Sequence, residues 1–261
     1  MSPPLYPPPR PQSVAEVLDS GFRLFNASLF RCLPYSVMAM IAGQLASIYE
    51  IAAGRPLYLF GGGDPVWWVL YAIGVILTLG LWNAMMLRQI AIASGQPTST
   101  SQELRLAVRR LPIVIALMVF WVAASALGLA LLIVPGLYVS VALVFAWPAL
   151  VLKPMSIKEA VRYSLQLARR NWWRATIVFT VGITVLFVFY AVGLVFALIA
   201  APVVGVADVA VATSIATRVI ATMGVFAEPF LCALLLAMYA DLQVRKESAD
   251  VERPVAAAAN G

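Results

Sequence analysis

Six apolar runs, at about residues 33–53, 67–93, 111–134, 137–152, 173–201 and 217–240, leave this chain few ways to fold. A run of about 20 apolar residues matches the hydrocarbon thickness of a bilayer when helical. In that medium the backbone must satisfy its own hydrogen bonds, which a helix does within a single segment. The fold class that follows is all-α, a polytopic membrane protein of about six transmembrane helices. Composition agrees, because 62% hydrophobic residues against 11% charged, with a mean hydropathy of +0.92, cannot cover a molecule with a water-facing surface. Six spans and their connections use up the 261 residues, so any function is expected in or against the bilayer.

The connections differ in kind. Trp67 and Trp68 open the second run as an interfacial aromatic pair, after the Gly/Pro-rich stretch GRPLYLFGGGDP. Pro135 and Gly136 are expected to form the tight turn between the third and fourth runs. The fourth run is short and carries Pro148, whose freed backbone group needs shielding from lipid by neighbouring helices. The Pro-rich residues 1–12, read as a linker, and the charged, small-residue stretch 246–261 are expected to be disordered tails flanking one membrane domain, 13–245. The opening MSPPLYPPPR lacks the pattern of a cleavable signal, so the first span is expected to act as its own insertion signal.

Basic residues set the expected orientation. All but Arg55 and Arg218 fall before the first run, at or beside the junction of the second and third, at or beside the junction of the fourth and fifth, or after the sixth. The positive-inside rule then places both termini and both long connections in the cytoplasm.

Within those connections a pattern recurs. Aligning Ser13 with Ser156 brings Glu16 onto Glu159 and Arg31 onto Arg174, and the apolar positions coincide at amphipathic helical spacing. Each copy begins with the Ser-x-x-Glu signature of a capping box, and a shorter third copy starts at Thr100 with Glu103. The plan read from this is three units, each an interfacial helix (about 13–31, 100–110 and 156–170) followed by a two-helix hairpin. Common descent and convergence of membrane-surface helices both account for the pattern. Such helices lie in the headgroup layer, where Lys153, Lys158, Arg162, Arg169, Arg170, Arg174, Arg105, Arg109 and Arg110 are candidate contacts to anionic lipid. The same charges would also serve simply to orient the chain during insertion.

Inside the apolar runs the polar residues are few. Gln44, Asn83 and Glu228 are candidate intramembrane functional residues, with Pro229 next to Glu228 as a candidate kink, and Arg88 lies close enough to an end to snorkel. A helix-to-helix hydrogen bond is the structural alternative for Glu228. Gly43 with Ser47, Gly74 with Thr78 and Ala124 with Gly128 are small-residue pairs that let helices approach closely. Cys32 and Cys232 form no paired framework and are read as small buried apolar groups. The chain has no histidine, no GxSxG and no phosphate-binding glycine loop, which argues against an enzyme and against a metal or cofactor.

The stretch VPGLYVSVALVFAWPALVLKPMSIKEAVRYSLQLARRNWWRA resembles the signature region of the bacterial membrane-domain family associated with glycerophosphoryl diester phosphodiesterases and its stand-alone relatives. VLDSGFRLFNASLFRCLP and LAMYADLQVRKES are similar to that family's two ends. The resemblance implies a multi-helix fold in a bacterial cytoplasmic (inner) membrane. It transfers no catalytic residue, since catalysis in the family belongs to a separate histidine-containing, metal-dependent domain. Three functional expectations follow. The first is a non-catalytic membrane protein associating with anionic lipids or with membrane-protein partners, a second copy of itself included, and not with nucleic acid. The second is a transporter or channel built on a Glu228 cavity, and the third is the membrane subunit of a separately encoded hydrolase.

Overall fold

A computed structural model describes residues 7–54, 64–169, 171–203 and 209–259. Arg55, Arg170 and Asp208 lie outside the described residues, as do residues 1–6 of the amino-terminal tail. The described chain is helical without strands: α1 Val14–Gly43, α2 Leu45–Ala52, α3 Pro65–Ser94, α4 Thr100–Leu131, α5 Ile133–Val144, α6 Ala146–Leu152, α7 Ile157–Ala168, α8 Trp172–Val203 and α9 Val209–Ala259. Six segments are long and apolar enough to cross a membrane, which makes the protein polytopic and all-α.

Two of the three expected interfacial helices are continuous with the span that follows. α1 and α4 run unbroken through Pro34 and Pro112. What changes at each proline is the surface. Before Pro34 the exposed residues of α1 include Asp19, Arg23 and Arg31, whereas beyond it they are Val37, Met38 and Ile41. In α4, exposed Arg105 and Arg109 give way to Val119, Phe120 and Val122. A proline removes one intrahelical donor and frees the carbonyl four residues earlier. The loss is tolerated here, and helix geometry carries through the change of surroundings. Only the third interfacial segment, α7, is a separate helix.

The expected turn at Pro135 and Gly136 is displaced. The chain reverses at Leu132, whose backbone is extended (φ −163°, ψ 150°), and Pro135 sits in the first turn of α5. A proline there loses nothing, because the first amides of a helix have no intrahelical acceptor. Gly136 serves the hairpin differently, by letting α4 approach. A Cβ on Gly136 would lie 2.5 Å from the Leu129 backbone nitrogen, and one on Gly128 would lie 2.8 Å from Gly136 Cα. Gly136→Val should therefore destabilise the hairpin by about 1–3 kcal/mol through overpacking. Gly80→Ala, where the added carbon meets Leu111 Cδ2 at an ordinary 3.7 Å, should melt like the parent in the same detergent.

Pro148 accounts for the second interruption in this span. It cannot donate to Val144, and the helix breaks at Phe145, between α5 and α6. Pro148 itself is buried, so protein shields the freed carbonyl region from lipid. The small-residue expectation for α1 and α3 is met directly. Gly74 packs against the Ala42 carbonyl, and the Thr78 hydroxyl donates to the Ala39 carbonyl at 3.2 Å.

α9 forms the centre. From Phe230 to Leu242 it is buried on nearly every side, contributing Leu234, Leu236, Met238 and Tyr239 to the core, and it packs chiefly against α1 and α8. Its helix continues past Lys246 to Ala259, where the sequence suggested a disordered tail. At the other end, residues 7–12 were also expected to be disordered. They instead lie against the protein, with Pro8 buried and Gln12 tied to α8 and α9.

Candidate functional site

The charged groups sort into three arrangements. The first is a closed ionic clasp joining α1, α3 and α4. Glu103, 3% exposed, accepts from Arg88 Nε at 2.7 and 2.8 Å, from the Tyr35 hydroxyl at 2.6 Å and from Thr98 Oγ1 at 2.5 Å. Arg88 also donates to Thr100 Oγ1 at 2.9 Å. This arrangement corrects the third capping box. The residue capping α4 is Ser99, and the Glu103 carboxylate turns into the protein because Arg88 satisfies it there.

The second clasp surrounds Asp241, which is fully buried in α9. Its carboxylate accepts from Arg245 Nε at 2.9 Å, from Arg174 Nη2 at 3.4 Å and from the backbone N–H of Gln12 at 2.7 Å. The Gln12 carbonyl in turn accepts from both arginines. Arg174, expected to contact lipid, is thus an internal partner of α9 and of the amino-terminal segment.

The remaining cations form the third arrangement. Arg110 is also committed internally, donating to the carbonyls of Leu150 and Lys153 at 2.8 and 2.6 Å and so capping the end of α6. Lys153 sits over the Tyr163 ring, 5.2 Å from its centre, and Lys246 covers the same ring at 4.3 Å. Arg105, Arg109, Lys158, Arg162 and Arg169 are exposed, and their side chains form no hydrogen bond or ion pair among the described residues. Three of them project from α7 or its end. α7 begins with the expected capping box, in which Ser156 accepts from the Glu159 amide while Glu159 accepts from the Ser156 amide at 2.8 Å. The Ser156 backbone amide, and then its hydroxyl, hold the Glu159 carboxyl below the usual carboxylate range. A depressed pKa stabilises the cap at neutral pH, and that contribution disappears as pH falls through the lowered value. The buried face of α7 packs by Ala160, Ser164 and Leu167, with the Ser164 hydroxyl donating to the Ala142 carbonyl at 2.6 Å.

Of the intramembrane candidates, Asn83 and the Glu228-Pro229 step lie in the packed helices. Asn83 is fully buried and accepts from the Trp147 indole at 2.8 Å, and the Trp82 and Trp147 rings lie 5.7 Å apart. Gln89, also fully buried, donates to the Pro229 carbonyl at 2.8 Å and to Ser28 at 3.3 Å, linking α3, α9 and α1. Trp82 lies beside Glu228, yet Trp82 Nε1, Glu228 Oε2, Asn83 Nδ2 and Gln89 Oε1 are all buried without hydrogen-bond partners among the described residues. Gln44 stands apart, at the break between α1 and α2, and its side chain is bonded to neither Asn83 nor Glu228. Neither cavity described in the protein is lined by any of these residues. The larger, about 340 Å³, is an open groove along the apolar face of α8 from Phe187 to Ile199, and the smaller, about 10 Å³, lies beside Gln12.

Gln89, Glu103 and Asp241 were not singled out as site residues from sequence. The only available signals were a polar residue directly after Arg88, an acid already assigned to a cap, and an acid at the end of an apolar run. Among the described residues, no cluster of three or more potential metal ligands exists.

An all-helical bundle with six membrane-length segments, tied by buried ionic clasps, defines a multi-pass integral membrane protein. The chain belongs to the family described as the membrane domain of glycerophosphoryl diester phosphodiesterase, whose model matches residues 117–255. That match takes in α5 to α8, Asp241 and most of α9, and it is to a membrane domain alone. No curated protein and no solved structure matches the chain significantly.

Proposed function

We propose that this protein is a non-catalytic module of the bacterial cytoplasmic membrane that associates with anionic lipid headgroups through α7 and the first turns of α4, with both termini cytoplasmic. The observation carrying this reading is the division of labour among the cations. Arg110 and Arg174 are consumed by internal hydrogen bonds, while Arg105, Arg109, Lys158, Arg162 and Arg169 are exposed, their side chains without a hydrogen bond or ion pair among the described residues. An interfacial cation near an anionic leaflet contributes about 1 kcal/mol. The family match to a membrane domain, together with the absence of histidine, supports a non-catalytic role for these residues.

The test replaces those five cations with glutamine and compares bound lipid after purification from native membranes. At about 1 kcal/mol per cation, retained anionic phospholipid should fall at least tenfold while zwitterionic lipid is unchanged. Equal retention of anionic lipid by the variant would leave these charges only an orienting role.

A further inference from the structure

The Asp241 clasp contains two cations and one anion, and its geometry suits a further anionic group. Arg174 and Arg245 side chains are 26% and 27% exposed, whereas Asp241 is completely buried between them. Both guanidinium groups converge on one neutral oxygen, the Gln12 carbonyl, which receives a hydrogen bond from each. Arg174 Nε is buried and has no hydrogen-bond partner among the described residues. An oxygen held by two guanidinium groups, in a clasp of net charge +1 with a further donor without a partner among the described residues, occupies the position of a phosphate oxygen in a charge-assisted, forked contact.

We propose that Arg174 and Arg245 form a binding site for the phosphate group of a phosphomonoester or phosphodiester, and that the amino-terminal segment at Gln12 is its intramolecular competitor. The two occupants exclude one another. The cavity beside Gln12, lined by Pro8, Ser20, Leu24 and Leu236 among others, measures about 10 Å³, at most the room of one water molecule. Phosphate therefore enters only when the segment withdraws. Asp241 holds the segment by accepting the Gln12 amide proton, and it also aligns both arginines, so one carboxylate serves both occupants. The site uses none of the five exposed cations of α4 and α7.

Isothermal titration of the purified full-length protein, with inorganic phosphate in one arm and dihexanoyl-phosphatidylglycerol in the other, tests the proposal. Gln12→Pro removes the amide that Asp241 holds and leaves both arginines in place, so affinity should rise by roughly threefold or more, the equivalent of one neutral hydrogen bond. Arg245→Gln leaves Asp241 its Arg174 and Gln12 partners and should weaken binding about tenfold, as for loss of one charge-assisted bond. Response to both probes assigns a phosphate site, and response to the lipid alone assigns a headgroup site. No binding of either probe by the parent or by Gln12→Pro overturns the proposal, as does an Arg245→Gln protein that binds like the parent. Should Arg245→Gln fail to fold, Gln12→Pro decides alone, and an affinity equal to the parent's refutes the competition.

Discussion

Glu103→Ala should lower the stability of the purified protein by about 3–5 kcal/mol, the usual cost of leaving one member of a buried ion pair uncompensated. Thermal denaturation in mild detergent should show a large fall in Tm, since whole domains are stable by only about 5–15 kcal/mol. The substitution takes four hydrogen bonds from one buried carboxylate and strands Arg88 at the junction of three helices. The informative companion is Arg88→Met with Glu103→Leu. Replacing both charges by apolar groups removes the unpaired charge along with the bonds, and most of the lost stability should return. A Glu103→Ala protein that melts like the parent would show that α1, α3 and α4 are held by packing alone.

Asp241→Ala should have a comparable effect by a different route. It leaves Arg174 and Arg245 facing each other as like charges and deprives the Gln12 amide of its acceptor. A loss of about 3–5 kcal/mol is expected, with Asp241→Asn intermediate because one carbonyl oxygen remains. Stability alone would not show that the clasp holds the amino-terminal segment, so the second measurement is limited proteolysis. Proteinase K should cut near residues 7–13 much faster in Asp241→Ala than in the parent, and equal protection would mean that the segment is held by Pro8 burial and by the Arg10 to Glu16 ion pair, 2.7 Å long.

How much of this could be read from sequence depends on whether the deciding interaction is local. The spans and the caps at Ser13 and Ser156 are local, set by runs of apolar residues and by a serine three positions before a glutamate. The site of the α4–α5 reversal was misplaced for a physical reason. Pro135 and Gly136 form a turn signature, yet a proline is equally at home in the first turn of a helix, and the glycine is required by Leu129 across the hairpin. The continuity of α1 and α4 was hidden because a change from charged to apolar surface looks the same whether a helix stops or runs on through it. The roles of Arg110, Arg174 and Asp241 were invisible for another reason. Positive-inside bias treats every cation as facing solvent or lipid, while Arg110 and Arg174 are fixed by partners 40 or more residues away, and Asp241 is held by the distant Gln12 and Arg174 as well as by Arg245 one turn on. Glu228, the acid singled out within an apolar run, has its Oε2 buried without a hydrogen-bond partner among the described residues.

The central place of α9 carries a consequence for how the molecule is made. Helices leave the ribosome in order, and the one that fills the middle of this bundle is the last of the nine described. Until it arrives, the inner faces of α1 and α8 have only lipid or a membrane chaperone to cover them. The clasp between Gln12 and Asp241 then joins the segment that precedes α1 to α9. Assembly of the bundle is thereby tied to the emergence of α9, and a chain interrupted before it would present to membrane proteases the surfaces that α9 is needed to cover.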